Sequence, residues 1–289
     1  RSRRQRQMCI RDSMATAYRI DNGIQTKTLS VTSGKGGVGK TTLTVNLAFT
    51  LAEMGKKVLI LDGDIGLANI DIFLGIRPTK TLDDFFSGKE KLEDIVVKAH
   101  KNIHVLPSAS GLTDLKSIDV YKRKMLMDEV GMLNNTYDYL LVDTASGIDD
   151  NVQYLNSTVQ DVLVVVTPEP ASMADAYALI KLLNQNHKVC RFSVVANKVL
   201  GEKEAKDIYH RINKVAGRFL NVHLSYMGFI PLDPKLRQVG DPKLICKARP
   251  SAASSIALKR IAESLGGMHE ASEVKGNLQF FWNQLLNVA

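Results

Sequence analysis

The sequence predicts an α/β protein: a mostly parallel, doubly wound sheet with helices on both faces. Uniformly apolar runs of strand length alternate along the 289 residues with longer segments of helical periodicity. Buried parallel strands joined by helices have this appearance. A glycine-rich segment at 33–42 also lies between the first predicted strand and the first predicted helix. That order is typical of a phosphate-binding loop.

The predicted elements follow one another as βαβ units. Strands are predicted at 28–32, 57–62, 102–106, 137–143, 161–166, 191–196 and 224–230. Helices are predicted at 42–54, 120–133, 171–186, 203–219 and 250–265. The strands are apolar throughout rather than alternating, which indicates that both faces of the sheet are covered. After the last helix we expect a polar linker at 266–276 and a short amphipathic segment at 277–289.

The net charge of +8 is concentrated near the N-terminus. Residues 1–13 hold five arginines and one aspartate, so they contribute half of that charge. Because Met14 follows and no apolar signal segment accompanies the arginines, we interpret 1–13 as a non-native or disordered tail and 14–265 as the folded domain. The mildly basic remainder argues against a nucleic-acid partner. The three cysteines have neither metal nor disulfide spacing, which indicates a reducing cytoplasm.

The most specific motif in the chain is G-x-x-x-x-G-K-[ST], which runs from Gly34 to Thr41. Backbone N–H groups of such a loop, with the N-terminus of the helix after it, form a cradle for phosphates. Lys40 then provides a positive charge for the terminal phosphates, and the Thr41 hydroxyl is suited to Mg²⁺. The predicted binding residues of the loop are Gly34, Lys35, Gly36, Gly37, Val38, Gly39, Lys40, Thr41 and Thr42.

Acidic residues end two of the later strands. Asp143 closes the strand at 137–143, where an aspartate can hold Mg²⁺ directly or through water. Asp62 and Asp64 lie at the end of the strand at 57–62. One of this pair is expected to support the metal and the other to orient an attacking water. Since the carboxyl ends of parallel strands meet at one edge, these groups should converge with the phosphate loop.

Three motifs together resemble the MinD/ParA family of dimeric ATPases. KGGVGKTT at 35–42 resembles the family's deviant Walker A motif, DGDIGLANID at 62–71 its switch I, and DTASGI at 143–148 its switch II. The similarity spans about residues 27–265. Within the family, TPEPASMADAYALIK at 167–181 resembles the flagellar-number regulators of the FlhG/FleN/YlxH branch.

The resemblance implies ATP and Mg²⁺ as ligands and a homodimer that sandwiches ATP. It implies that Lys35 reaches the phosphates of the opposite subunit, that Asp64 positions the hydrolytic water and that Asp62 supports Mg²⁺. The implied catalytic residues are therefore Asp64, Lys35 and Lys40, and the implied metal ligands are Thr41, Asp62 and Asp143. The residues implied beside the adenine base are Asn197, Pro231 and Asp233.

The C-terminal segment 277–289 has one apolar face. Leu278, Phe281, Trp282 and Leu285 share that face at helical spacing. Such a helix can lie in a membrane interface, or it can dock on the body or on a dimer partner. Because MinD and FlhG end in membrane-targeting helices, the resemblance favours membrane targeting, at the inner face of the cell membrane.

We therefore predict an ATP-dependent dimeric switch ATPase that regulates flagellar number or placement at the membrane, with slow turnover in the absence of a stimulating partner. The alternatives are a MinD-type division-site regulator and, in a different class, a module that holds ATP without significant turnover.

Two further functions on the same fold are less favoured. A DNA-binding partition ATPase would require a basic stripe, and an iron–sulfur carrier would require paired cysteines at the dimer interface. Many members of the flagellar branch stimulate an SRP-type GTPase partner through an N-terminal Asp-Gln-Ala motif. Flagellar assembly proteins such as that GTPase are the expected partners, but residues 15–27 lack the motif, so stimulation of the GTPase is not supported.

Overall fold

A computed structural model of the chain describes residues 26–64, 70–107, 121, 125–126, 128–130, 136–233, 244–267 and 278–285. The strands of this part form one sheet in the order β3-β4-β2-β5-β1-β6-β7-β8. Their bounds are β1 (Lys27–Ser33), β2 (Val58–Gly63), β3 (Val97–His100), β4 (Ile103–Leu106), β5 (Tyr139–Ser146), β6 (Asp161–Val166), β7 (Arg191–Val199) and β8 (His223–Pro231). Neighbouring strands are parallel except for β3, which is antiparallel to β4. The predicted fold class is confirmed.

The helices pack on both faces of this sheet. Their bounds are α1 (Lys40–Glu53), α2 (Ile70–Leu74), α3 (Leu82–Phe86), α4 (Leu92–Ile95), α5 (Asp150–Ser157), α6 (Pro170–His187), α7 (Glu202–Phe219), α8 (Ile245–Ala248), α9 (Ala253–Gly267) and α10 (Leu278–Leu285). The described residues of the helix predicted at 120–133 are also helical. Among the residues with described positions, none of the helices combines the length and apolar character that crossing a membrane requires.

Alternation along β1 shows how the two faces are divided. Leu29 and Val31 join a core cluster with α1 and α9. Ser30 and Thr32 point to the opposite face, where Asn156 of α5 accepts a hydrogen bond from Ser30 Oγ at 2.6 Å and donates one to Thr32 Oγ1 at 3.1 Å. Apolar clusters on that second face contain α3, α4 and α10 at one end and α6 and α7 at the other. The sheet is therefore doubly wound.

Several short elements were not predicted. The antiparallel strand β3 and the helices α2, α3, α4 and α8 each have four or five residues, too few to show a period, and α5 was also missed. At the other end of the chain, α9 continues to Gly267, so Gly266 belongs to the helix and not to the predicted linker. Residues 1–13 and 268–277 lie outside the described part of the chain.

The C-terminal helix α10 is docked on the body of the protein. Leu278, Phe281, Trp282 and Leu285 are each at most 1% exposed and pack in one cluster with residues of β2, β5, α3 and α4. The Tyr154 hydroxyl of α5 donates a hydrogen bond to the carbonyl of Leu285. This is the docked arrangement rather than the membrane-exposed one that the resemblance favoured. These four side chains can therefore contact lipid only if α10 leaves the body.

Candidate functional site

The phosphate loop joins the carboxyl end of β1 to the start of α1, and its glycines are required by geometry. Gly37 and Gly39 have φ values of 74° and 100°, in the left-handed region that strains other residues. A Cβ on Gly39 would lie 2.6 Å from the Asn197 side-chain nitrogen, and one on Gly34 would lie 2.2 Å from the backbone oxygen of Asp175. The loop is therefore seated tightly against the end of β7 and against α6.

Lys40 places a positive charge at the centre of this loop. The residue is 9% exposed, and its Nζ donates to Ser33 Oγ at 3.2 Å. Burial lowers the pKa of Lys40, while Asp143 and Asp64 act in the opposite direction. Burial deprives the Lys40 ammonium group of stabilisation by water, and an anionic ligand in the cradle would replace that stabilisation.

Two buried carboxylates face each other beside Lys40. Asp62 of β2 pairs in register with Asp143 of β5, and the two are 2% and 1% exposed. Burial raises the pKa of Asp62 to about 7 and that of Asp143 to about 6. Asp143 accepts hydrogen bonds from Thr44 Oγ1 at 2.9 Å and from Thr41, and the Asp64 N–H donates to Asp62 Oδ1 at 3.1 Å. The predicted convergence of these aspartates with the loop is thus present.

This donor set fits Mg²⁺. Two buried aspartates with raised pKa values are stabilised when a cation neutralises them. Within the described ranges there is no cluster of three or more His, Cys, Asp and Glu side chains that could hold a metal alone. Mg²⁺ usually takes one or two carboxylates and completes its shell with water and substrate phosphates. Thr41, Asp62 and Asp143 could supply the protein ligands of such an ion.

Lys35 lies at the rim of the site and is paired within its own subunit. Its Nζ forms an ion pair with Glu169, the residue at the N-terminal cap of α6. The hydrogen bond from Lys35 lowers the pKa of Glu169, and Lys198 adds to the effect. Lys198 also donates from Nζ to the Gly37 carbonyl at 2.7 Å. Glu169 and Lys198 thus fix the outer side of the loop, and Glu169 holds the lysine expected to act across a dimer.

The residues implied beside the base occupy two places. Asn197 donates to the Val38 carbonyl at 2.7 Å and accepts from the Lys198 N–H at 2.9 Å, so its amide braces the loop. Pro231 and Asp233 line a cavity of about 760 Å³ between the end of β8 and the start of α9. The other residues lining this cavity are Leu232, Arg249, Pro250, Ser251, Ala252 and Ala253. Asn197 and this cavity therefore lie at the carboxyl ends of two adjacent strands.

Sequence reasoning did not assign the supporting contacts of the site. Lys35 and Glu169 are 134 positions apart, and Thr44 and Asp143 are 99 apart. Glu169 and Asp175 both belong to the segment at 167–181, whose likeness to flagellar regulators was the one sequence signal pointing to that region. Switch I continues through 65–69, which lie outside the described residues.

Comparisons with known proteins cover the region that carries these groups. The sequence profile of a family described as "ParA: NUBPL iron-transfer P-loop NTPase" matches residues 24–266. The antiactivator FleN of Pseudomonas aeruginosa is 39% identical over 259 residues, 89% of this chain and 92% of FleN. The flagellum site-determining protein YlxH of Helicobacter pylori is 35% identical over 273 residues, 92% of each chain. A solved structure of the septum site-determining protein MinD complexed with Mg-ADP, from Pyrococcus horikoshii, is similar with a TM-score of 0.64 at 26% identity, over 86% of this chain and all of that one.

Proposed function

Since the chain belongs to the ParA/MinD family of P-loop NTPases, we propose that it is a dimeric switch that hydrolyses ATP and regulates the number or placement of flagella. The observation that carries the nucleotide chemistry is the burial of Lys40, Asp62 and Asp143 together at the end of the phosphate loop. The flagellar role rests on the likeness to FleN and YlxH, which extends over nine-tenths of the chain.

The arrangement supports hydrolysis mainly by positioning. Phosphoryl transfer requires little covalent chemistry from the protein and depends on orientation and charge stabilisation. Loop N–H groups and Lys40 would hold the phosphates, and Thr41, Asp62 and Asp143 would hold Mg²⁺. When bound, Mg²⁺ neutralises charge on the phosphate oxygens. Asp64, tied through its backbone to Asp62, would orient the attacking water.

The dimer gives Lys35 its proposed role. Lys40 is already inside the loop of its own subunit, which leaves Lys35 for the nucleotide of the partner subunit. Its ion pair with Glu169 is at the rim, where the Lys35 side chain is 37% exposed. Exposed pairs of this kind are weak, so phosphates of a second subunit would displace Glu169. The exchange from Glu169 to phosphate would accompany dimerisation.

Membrane association is the output that we propose for this switch. Release of α10 would expose Leu278, Phe281, Trp282 and Leu285, which are apolar and suited to an interface. One short helix anchors marginally, whereas two helices on a dimer bind with a strong gain in avidity. ATP-driven dimerisation would therefore recruit the protein to the inner face of the cell membrane, and hydrolysis would return it to the cytoplasm.

Three other functions lead to different expectations. A MinD-type division regulator would share all of this chemistry and differ in its partner, and the likeness to MinD supports it as the second candidate. A module that holds ATP would bind it at the same site without turnover. The description of the matching family includes iron transfer. An iron–sulfur carrier would require paired cysteines, but the two cysteines of the described residues, Cys190 and Cys246, are both free. Cys246 contacts Thr50 of α1, whereas Cys190 lies beside Asn184 of α6.

A paired experiment on dimerisation and hydrolysis tests the proposal. Asp64→Ala should bind ATP and sediment as a dimer with Mg²⁺ while releasing phosphate at least about tenfold more slowly than the wild type. Lys35→Ala should bind ATP as a monomer, and Lys259→Ala, which removes an exposed lysine of α9, should behave as the wild type. Single-turnover phosphate release no faster from the wild type than from Asp64→Ala would favour the ATP-holding module. A Lys35→Ala dimer as stable as the wild type would contradict the role across the interface.

A further inference from the structure

The exposed flank of α7 combines basic and apolar side chains in an unusual way. We use the name α7 flank for Leu200 with Arg211, Val215, Arg218 and Phe219. The four helical members lie at i, i+4, i+7 and i+8, which places them on one side of the helix. Leu200 is 84% exposed, the highest value for a large apolar residue in the described part of the chain, and Phe219 is 65% exposed.

A cavity opens at one end of this flank. It has a volume of about 430 Å³ and lies between the start of α6 and the first turns of α7. Pro168, Met173 and Ile208 contribute apolar walls, while Leu200 and Arg211 connect the cavity to the flank. From Ile208 to Phe219 a helix extends about 16 Å at 1.5 Å per residue. Cavity and flank together match the length of a few turns of a bound helix.

The charge of the helical part of the α7 flank is positive, whereas the cavity is lined by both acidic and basic residues. No aspartate or glutamate occurs from Ile208 through Leu232. At the cavity end, Glu202 is paired with Lys206 at 2.8 Å, and Glu204 accepts a hydrogen bond from the Leu200 N–H at 2.7 Å. The C-terminal half of α7 therefore presents basic groups alone, and one of them, Arg218, lies 5.3 Å from the ring centre of Phe219.

We propose that the α7 flank and its cavity bind an acidic segment of another protein, one that carries an apolar side chain for the cavity. Exposed apolar groups rimmed by charge mark protein interfaces, and complementary charge selects the partner. A nucleic acid offers phosphates but no apolar side chain that could enter the cavity beside Pro168, Met173 and Ile208. A bilayer surface is too flat to enter it.

The position of the cavity relates this surface to the nucleotide site. Pro168 lines the cavity, and the next residue, Glu169, is the ion-pair partner of Lys35. A segment bound in the cavity would thus contact Pro168, the residue next to Glu169, which must release Lys35 in the proposed dimer. The binding surface itself does not depend on the ATP-switch proposal, because neither Leu200 nor Arg211 belongs to the phosphate loop or its metal ligands.

A peptide selection tests the proposal without a known partner. A phage-displayed library of random peptides is selected on the full chain and counter-selected on the double variant Leu200→Ser with Arg211→Glu. Enriched peptides should be rich in Asp and Glu with at least one large apolar residue. The strongest of them, labelled with fluorescein, should bind Leu200→Ser and Arg211→Glu at least tenfold more weakly than the wild type in fluorescence polarisation. Lys259→Glu, a charge reversal on the opposite face of the sheet, should change the affinity less than twofold.

Fold and competing occupants are controlled in the same series. All variants should bind ATP with wild-type affinity, which separates this surface from the nucleotide site. The proposal is overturned if enriched peptides are neutral or basic, if none is enriched over the double variant, or if neither substitution weakens binding. It is also overturned if duplex DNA or anionic vesicles, rather than peptides, bind the wild type and lose affinity with Arg211→Glu. Self-association of the nucleotide-free wild type that Arg211→Glu abolishes would assign the surface to a second copy.

Discussion

Two regions of the molecule are both buried but differ in chemistry: the nucleotide edge, where Lys40, Asp62 and Asp143 lie, and the groove of β2, β5, α3 and α4 residues that holds α10. At the nucleotide edge, Lys40, Asp62 and Asp143 are charged groups kept from water, and burial shifts the pKa of each toward its neutral form. In the groove, Phe281 and Trp282 are fully enclosed in an apolar cluster. The nucleotide edge would be stabilised by a ligand that supplies compensating charge, whereas the packing of α10 in its groove requires no ligand.

In the proposed switch, this difference would allow one molecule to hold an off state and to respond to ATP. Buried charges give the nucleotide edge an affinity for an anion and its cation, and ATP would shift the protein toward the dimer to the extent that the dimer binds it more tightly. An apolar helix docked on a groove has no such dependence, so its release must come from a competing apolar environment or from a change in the groove. α5 is connected to both regions, since it follows β5, which holds Asp143, in the sequence, and its Tyr154 donates a hydrogen bond to α10.

The largest effect is expected for Trp282→Ala, which removes the largest fully buried side chain of the chain's described part. Such truncations cost about 3–5 kcal/mol, but a terminal helix can undock before the domain unfolds. Hydrogen exchange should therefore lose protection in α10 by at least about a hundredfold, while β1 and β5 keep theirs. Phe280→Ala, an aromatic truncation in the same helix at a residue 40% exposed, is the matched control. Equal protection in both variants would mean that the groove contributes little.

Lys40→Ala is expected to abolish tight nucleotide binding. Truncating one member of a buried charge pair costs about 2–5 kcal/mol, and a hundredfold loss corresponds to about 2.7 kcal/mol. Calorimetry should show at least that loss of ATP affinity, while α10 keeps its exchange protection. Lys198→Ala, which removes a lysine from the outer side of the same loop, should weaken ATP far less. An unchanged affinity for Lys40→Ala would contradict the assignment of the phosphate loop.

The nucleotide edge should also impose a pH dependence that the groove lacks. Burial raises the pKa of Asp62 from 3.8 to about 7, so the folded state binds the proton more tightly than the unfolded state. The cost is absent well below pH 3.8, where both states are protonated, and it is complete above pH 7. Stability of the nucleotide-free protein should therefore fall as pH rises through this window.

Asp62→Asn removes the buried carboxyl group and should therefore remove this pH dependence of stability. Between pH 5 and 7.5 the wild type should lose about 2 kcal/mol relative to the variant, since each pKa unit corresponds to about 1.4 kcal/mol, or about 5 °C in Tm. Asp150→Asn, at an exposed aspartate of α5, should follow the wild type. Parallel curves for the wild type and Asp62→Asn would show that Asp62 is ionised at the same pH in both states.

The smallest effect is expected for Tyr154→Phe. The Tyr154 hydroxyl donates to the Leu285 carbonyl and to that of Gln284 at 3.3 Å, two of the carbonyls that a helix C-terminus leaves unpaired. Loss of one such bond costs about 1 kcal/mol, so exchange in α10 should speed up about fivefold. Tyr209→Phe, which removes a hydroxyl bonded to Leu224 in β8, should not alter exchange in α10.

Local sequence patterns were enough to predict the nucleotide edge but not the groove that holds α10. The phosphate loop could be predicted because strand, glycines, Lys40 and Thr41 are contiguous. Asp62 and Asp143 could be predicted because each ends an apolar run of the sequence, although β5 continues past Asp143 to Ser146. The apolar face of α10 was also predicted, and the structure shows it docked on the body, one of the two destinations that the sequence left open, while membrane targeting stays a prediction. A row of Leu, Phe and Trp side chains can bind a lipid surface or an apolar groove of the protein. The groove is formed by residues of β2, β5, α3 and α4, so the sequence of 277–289 alone does not predict it. The pairing of Lys35 with Glu169 was missed for a related reason, since it depends on how α6 is placed beside the loop.

Vesicle flotation of Asp64→Ala tests the central claim, that ATP at one region controls the apolar helix of the other. The full-length variant is mixed with anionic vesicles in the presence of Mg²⁺ and either ATP or ADP. Most of the protein should float with ATP and little with ADP, and Trp282→Ala in the same background should lower the ATP-dependent fraction. Equal flotation with the two nucleotides, or no flotation with ATP, would contradict that claim.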